Sequence, residues 1–291
     1  MPAPRPRPPG HKHYDLSTVA HDYPEWNGPP RRSVLMITYP RSGSTLLGEA
    51  LYFAGGLGCP LEYFCGGFRP SMAEAWGTTS LKEHIAYVHR LRTDPGGTFS
   101  IKLFWRDLAE MVDELAPGRF PPLLKTLPED LAPQTYREIM EVLAPVFPNP
   151  TFIHLWRGDR VRRAVSSLTA MQTGRWREID GHGDGVIGEA KYDFDVLDNL
   201  IGWTDVTRRH WIKMFEAIGV EPFSLTYEEL YRDYEGTVRP LLRHLGSDAE
   251  PPPIRMQRQA TPSNEQWVLQ YLRDREAVVA ARALSAEAEA T

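Results

Sequence analysis

Short apolar runs alternate with longer amphipathic segments along most of this chain, and this alternation predicts its secondary structure. The first run, from Val34 to Thr38, contains β-branched residues and stops before Pro40, which is typical of a strand. Similar runs predict strands over 98–105, 150–156 and 222–226. Apolar residues at helical spacing predict helices that begin near Leu46, that follow a cap at Asp159 to about 171, and that cover 80–92, 107–115, 133–144, 193–218, 228–246 and 263–281.

Strands that alternate with helices predict an α/β fold, namely a P-loop-like, doubly wound parallel sheet flanked by helices. In such a sheet, ligands bind at the carboxyl ends of the strands. Residues 55–71 are rich in glycine and aromatic residues and predict a folded loop, whereas 174–188 contain five glycines and predict a flexible one. The expected organisation is a flexible, proline-rich leader over 1–32, a single domain over 33–283 and a C-terminal tail over 284–291.

Composition narrows the class of protein. Charged residues make up 24% and hydrophobic residues 42% of the 291 residues, which is ordinary for a soluble globular protein. The formal net charge of −5 argues against nucleic acid as a partner. The chain has no apolar run long enough for a membrane span and no apolar signal segment. Because Cys59 and Cys65 do not make a disulfide framework, we expect a cytoplasmic location.

The segment between the first strand and the first helix has the chemistry of an anion site. A strand, a tight polar loop and a helix together direct backbone N–H groups and a positive helix end at one point. The segment is not a standard ATP-binding loop, because it has no leading glycine and no lysine before its serine and threonine. Its cation is an arginine, and the predicted ligands of a 5′-phosphate group are Arg41, Ser42, Gly43, Ser44, Thr45 and Leu46.

A second basic segment covers residues 157–177, with six arginines and one acidic residue. Arg157 follows the predicted strand that ends at 156, and Ser166 lies about two helical turns further on. An arginine at a strand end and a serine on the next helix can hold a second phosphate. The alternative is a solvated face of arginines. Taken with the first loop, two anion sites on neighbouring strand ends suit a nucleotide phosphorylated at both its 5′ and 3′ ends.

Five motifs, in order from about residue 34 to 275, resemble those of the bacterial trehalose 2-sulfotransferase-like family. They are Tyr39–Leu47 with Glu49, Pro60–Phe64, Lys102–Trp105, Ala170–Arg177, and Arg258-Gln259 followed by Glu265–Trp267. The resemblance implies the sulfotransferase fold and transfer of a sulfuryl group from 3′-phosphoadenosine 5′-phosphosulfate (PAPS) to a small-molecule hydroxyl. It also implies homodimers, and we expect no metal requirement.

The resemblance also implies roles for single residues. The loop from Arg41 would hold the 5′-phosphosulfate, Arg157 and Ser166 the 3′-phosphate, and the remaining nucleotide contacts would come from Tyr227 and Arg258. Glu62 is the predicted general base, because the acceptor hydroxyl must lose its proton as it attacks sulfur. Cytosolic sulfotransferases typically have Lys-Thr-His on the second strand, where this chain has Lys102-Leu103-Phe104 and so no histidine base. Lys102 would stabilise charge on the transferring group.

Other functions stay open at this point. A P-loop-type small-molecule kinase would need a lysine in the loop and a magnesium-binding aspartate. A nucleotide-binding module without catalysis would need neither Glu62 nor Lys102. The acceptor is predicted to be a carbohydrate or glycolipid precursor, with trehalose as one candidate and a natural-product or phenolic hydroxyl as the alternative. The family commonly has an asparagine after the residue matching Trp105, and this chain has Arg106-Asp107 instead.

Overall fold

The computed structural model describes residues 15–176, 178–179, 182–183, 189–255 and 262–289. Its strands are β1 (Arg32–Ile37), β2 (Thr98–Leu103), β3 (Pro150–Trp156), β4 (Glu178–Ile179), β5 (His182–Gly183) and β6 (Phe223–Thr226). One sheet has the order β2-β1-β3-β6, and all of its neighbouring strands are parallel. The short strands β4 and β5 pair antiparallel with each other.

Helices connect the strands of the parallel sheet, and several begin at the side-chain caps that the sequence favours. Asp159 accepts a hydrogen bond from the backbone N–H of Arg162, and Thr226 forms a capping box with Glu229. Within the described residues the helices are α1 (Ser44–Ala54), α2 (Arg69–Trp76), α3 (Leu81–Leu91), α4 (Trp105–Leu115), α5 (Pro133–Leu143), α6 (Arg160–Thr173), α7 (Phe194–Ile218), α8 (Tyr227–Arg232), α9 (Tyr234–His244) and α10 (Pro262–Glu289).

The central strand β1 is buried on both faces. Val34 and Met36 pack in one hydrophobic cluster with residues of α1 and α9, whereas Leu35 and Ile37 pack in another with residues of α4, α5 and α7. All four side chains are at most 1% exposed. A strand with both faces covered by helices belongs to a doubly wound parallel sheet, so the predicted fold class is confirmed.

Several predicted boundaries were wrong, and the helix predicted over 228–246 is two helices, α8 and α9, separated at Asp233. The second strand ends at Leu103 rather than at Trp105, because Trp105 begins α4 and its ring stacks on His210 at 4.2 Å. Part of the predicted loop 55–71 is helical, since α2 begins at Arg69, and the proline in its first turn is compatible with a helix start. The predicted flexible loop 174–188 contains the paired strands β4 and β5, and its residues 177, 180–181 and 184–188 lie outside the described residues.

The structure divides into two compact units. Of the described residues, the first unit holds 15–156 and 206–254, and the second holds 157–176, 178–179, 182–183, 189–205, 255 and 262–289. The first unit holds the parallel sheet. The second has its own apolar core, in which α6 packs on α10 through Val165, Leu168, Val268 and Tyr271. The predicted boundaries of leader, domain and tail stay predictions. No described helix has both the length and the apolar character needed to cross a membrane.

Candidate active site

The loop between β1 and α1 follows the carboxyl end of the central strand. Arg41 and Gly43 both have left-handed backbone conformations, with φ of 65° and 82°. The helix begins directly after Gly43, and the first N–H groups of a helix have no partner inside it. The hydroxyls of Thr38 and Ser42 are buried and make no hydrogen bond to any described residue. An anion in this loop would find unpaired backbone and hydroxyl donors and a positive helix end.

The start of this loop is anchored to the neighbouring strand. The Tyr39 hydroxyl lies 3.2 Å from Nε2 of His154, which is buried on β3. Burial and the positive charge of Arg208 lower the pKa of His154 to about 4, so its imidazole is neutral at pH 7. The Arg208 guanidinium lies 4.3 Å from the ring centroid of Trp156, the last residue of β3. A neutral, hydrogen-bonded histidine therefore fixes the base of the loop.

Glu62 and Lys102 form an ion pair in the first unit. Leu61 pairs with Ile101 of the edge strand β2 in a single parallel bridge, and the backbone N–H of Lys102 donates to the carbonyl of Leu61 at 2.9 Å. This pairing brings the next side chain, Glu62, to Lys102, with 3.0 Å between Oε1 and Nζ. The lysine side chain is 6% exposed and the glutamate side chain 19%, so the carboxylate keeps access to solvent.

The ion pair lies close to α1, the helix that follows the loop. A Cβ atom at Gly48 would lie 3.1 Å from the carbonyl oxygen of Pro60 and 3.9 Å from Cδ of Lys102. Any side chain at this position would press on the backbone that leads to Glu62. Glycine at 48 therefore lets the helix, the 60–62 segment and the lysine approach one another. The structure brings Glu62 and Lys102 next to the helix whose first turn holds Ser44, Thr45 and Leu46.

Tyr227, the first residue of α8, packs on the same loop. A Cβ atom at Gly43 would lie 2.9 Å from Cδ2 of the tyrosine ring, so glycine is required there by contact as well as by its positive φ. The ring of Tyr227 also stacks on Tyr231, with 6.1 Å between the centroids. The predicted nucleotide contact therefore lies against the predicted anion loop, and its role stays a prediction.

Asp107 is a buried acidic residue close enough to Glu62 to be affected by its charge. It lies in the first turn of α4, just after β2, and is 1% exposed. Burial and the negative charge of Glu62 raise its pKa to about 8. The only signal in the sequence was the replacement of the family's asparagine by Arg106-Asp107. That difference gives no hint of the burial that changes the chemistry of the carboxyl.

In the second unit, the arginines of the 157–177 segment differ in their surroundings. Arg160 pairs with Asp205, and Arg162 pairs with Asp159 and Glu265. Most of these side chains are substantially exposed, so for Arg160 and Arg162 the alternative of a solvated arginine face is the better description. Arg163 is buried and donates to the carbonyl of Leu200. Arginine content alone therefore does not identify which side chains of the segment could bind a phosphate.

Arg157 and Ser166, the predicted 3′-phosphate ligands, also belong to the second unit. Arg157 follows β3 in the chain, and the half-buried Ser166 lies on the second turn of α6. Arg258 lies outside the described residues. Within the described part of the chain, no group of three or more histidine, cysteine or acidic side chains is arranged to hold a metal ion. The nucleotide-binding roles of all three residues stay predictions.

The chain is similar in sequence to known sulfotransferases. A family model described as Stf0 sulphotransferase matches residues 33–274. A trehalose 2-sulfotransferase of Mycobacterium tuberculosis is 28% identical over 266 residues, covering 82% of this chain and 94% of that protein. One from Mycolicibacterium smegmatis is 29% identical over 255 residues, with the same coverage. Among solved structures, the sulfotransferase domain from the curacin biosynthetic pathway has a TM-score of 0.40 and 16% identity, covering 77% of each chain.

Proposed function

The chain belongs to the Stf0 sulphotransferase family and is a sulfotransferase, and we propose that it moves the sulfuryl group of PAPS to a small-molecule hydroxyl with Glu62 as general base. The Glu62–Lys102 ion pair is the observation that carries this proposal. It combines a partly exposed carboxylate, which can accept a proton, with a buried cation beside the helix that follows the anion loop.

The donor end is supported by the chemistry of the loop at 41–46. Its hydroxyls, its positive helix end and Arg41 suit the 5′-phosphosulfate of PAPS. Arg157 and Ser166 are proposed as ligands of the 3′-phosphate, Tyr227 as a contact of the nucleotide, and Arg258 as a further contact. We propose that no metal takes part, since arginine, lysine and helix N–H groups can neutralise the phosphosulfate.

In the proposed reaction the acceptor oxygen attacks sulfur in line with the leaving phosphate oxygen. The new oxygen–sulfur bond forms as the bond from sulfur to the bridging phosphate oxygen breaks, and its electron pair stays on the 5′-phosphate of the nucleotide product. Glu62 takes the proton of the acceptor hydroxyl. Lys102, 3.0 Å from Glu62, stabilises the negative charge on the transferring and leaving oxygens.

The proposed acceptor is a carbohydrate or glycolipid precursor, and trehalose is the first compound to test. The support is the name of the two relatives, each of which covers 82% of this chain. The Arg106-Asp107 pair differs from the family pattern near Glu62, so a natural-product or phenolic hydroxyl is the second candidate. Homodimers and a cytoplasmic location are further proposals, which rest on the resemblance and on the use of cysteine.

A thermal shift experiment tests the donor. Ligand that binds only the folded protein stabilises it by about 2.7 kcal/mol at 100-fold excess over Kd. We expect 3′-phosphoadenosine 5′-phosphate to raise the Tm without metal, and adenosine 5′-phosphate to raise it much less. Stabilisation by ATP with magnesium alone would overturn the proposal and favour the kinase. A mass-spectrometric screen for sulfated sugars, lipids and phenols, with PAPS as donor, then identifies the acceptor.

A further inference from the structure

The carboxyl group of Asp107 is close enough to Glu62 to be affected by its negative charge. Asp107 lies in the first turn of α4, only a few residues after Lys102, and its side chain is 1% exposed. Oδ2 is buried and makes no hydrogen bond to any described residue. An ionised carboxylate with an unpaired, buried oxygen is strongly unfavourable, whereas a neutral carboxylic acid tolerates the same environment. Geometry alone therefore favours the protonated form of Asp107.

Most of the charged groups around Asp107 raise its pKa, as burial does. Burial is the largest of the causes that raise the pKa of Asp107 to about 8. The negative charge of Glu62 is the second, and that of Glu110 adds to it. Arg106 and a backbone hydrogen bond with Phe104 act against them. Burial, together with the negative charges of Asp107 and Glu62, raises the pKa of the Cys65 thiol to about 12, so this thiol is uncharged at pH 7.

Lys102 is already paired with Glu62, and Arg106, the cation that acts on Asp107, is exposed. Ionised carboxylates at both Glu62 and Asp107 would repel each other, so one of them keeps a proton. The difference in burial decides which one. Asp107 is almost completely enclosed, whereas the side chain of Glu62 is 19% exposed and ion-paired.

We propose that Asp107 is a positioning residue for Glu62: its neutral, buried carboxyl leaves the negative charge beside Lys102 on Glu62, the form that can accept a proton. The proposal rests on the proposed role of Glu62. During transfer the proton moves from the acceptor hydroxyl to Glu62 and later to water, and the proton of Asp107 stays in place. Ionisation of Asp107 would add a second negative charge near Glu62, oppose the negative charge that develops on the transferring oxygens and slow the reaction.

An infrared titration of the protein without substrate tests the protonation state. The wild type should show a protonated carboxyl band at neutral pH that disappears with a midpoint near pH 8. Asp107→Asn should lack this band, and Glu110→Gln, which changes an exposed carboxylate of the same helix, should keep it. Absence of the band in the wild type at neutral pH, or its persistence in Asp107→Asn, would overturn the proposal even if Glu62 proves not to be the base.

The pH profile of turnover tests the positioning role. With PAPS and trehalose, or the acceptor found in the screen, wild-type kcat/KM should fall about tenfold per pH unit above about pH 8. Asp107→Asn should keep neutral-pH turnover within about threefold of wild type and lose this alkaline limb, since the amide stays neutral. A folded Asp107→Asn protein that is inactive at neutral pH, or that keeps the limb, would contradict the role. If that variant does not fold, the wild-type infrared band decides.

Discussion

An ion pair in the first unit and one in the second lie in opposite environments. In the first, Arg92 is fully buried: it donates to the carbonyl of Leu16 at 2.7 Å and pairs with Asp22 at 3.0 Å. In the second, the ion pairs on α6 lie at the surface, and the side chains of Arg162 and Glu265 are 42% and 48% exposed. Removing one partner of a buried ion pair strongly lowers the free energy of unfolding, whereas an exposed ion pair contributes little to it.

This difference shows which charged residues carry information about function. The arginine-rich segment is conspicuous in the sequence, yet Arg160 and Arg162 have acidic partners at the surface. Lys102 and Asp107 belong to no conspicuous cluster of charge in the sequence, and both are at most 5% exposed. A charged group that the fold keeps out of water is more informative than a cluster of charges that water surrounds.

The largest effect is expected from Glu62→Gln, which removes the proposed base in the first unit. Turnover of PAPS with the acceptor should fall by about 10²–10⁴-fold, because the amide cannot take the proton. Affinity for 3′-phosphoadenosine 5′-phosphate, measured by calorimetry, should stay unchanged. Glu74→Gln, which alters an exposed glutamate on α2, is the matched control. Near-normal turnover in Glu62→Gln would exclude this residue as the base.

A pair of variants tests the stability side of the comparison. Asp22→Asn removes the carboxylate that pairs with buried Arg92 and should lower the free energy of unfolding by about 3 kcal/mol. Glu265→Gln breaks the exposed pair with Arg162 and should change it by less than about 1 kcal/mol. Urea unfolding of both variants measures the contrast. Equal losses would mean that burial does not separate the two kinds of ion pair.

Within the second unit, Arg157→Ala separates a phosphate ligand from a surface arginine. Loss of a charge-assisted hydrogen bond of about 1.5–3 kcal/mol should weaken binding of 3′-phosphoadenosine 5′-phosphate by roughly 10–100-fold. Binding of adenosine 5′-phosphate, which lacks the 3′-phosphate, should hardly change. Arg160→Ala is the control, because Arg160 is paired with Asp205 at the surface. If both variants bind the bisphosphate like the wild type, Arg157 is not its ligand.

A smaller effect should appear in acid. His154 and His210 have pKa values lowered by burial to about 4, below the ordinary 6.5, so the unfolded chain binds more protons than the folded one between these values. Stability is therefore complete above about pH 6.5 and falls as the pH drops towards 4, by about 1–2 kcal/mol per histidine at pH 5. His154→Gln should flatten this dependence in urea unfolding, and His244→Gln, at an exposed site, should leave it as steep as in the wild type.

Most of the fold could be predicted because strand and helix periods are local. The four strands of the parallel sheet, the cap at Asp159 and the loop before α1 were all visible in the pattern, whereas the short strands β4 and β5 were not. Helix α2 was missed because Arg69-Pro70 follows a glycine-rich segment that gives no periodic signal. Of the candidate site, Glu62 and Lys102 came from the resemblance. Their contact depends on a bridge between Leu61 and Ile101, which no local pattern predicts.

Element types, helix caps and the composition of the anion loop follow from the order of residues alone, because they depend on neighbours a few positions away. The tertiary structure alone decided which charged groups are buried away from solvent. Asp107 and Arg160 are both polar residues near the start of a helix, yet one is buried beside another carboxylate and the other is paired in solvent. Burial and pKa depend on residues that are distant in the chain, so only the packed structure distinguishes the two.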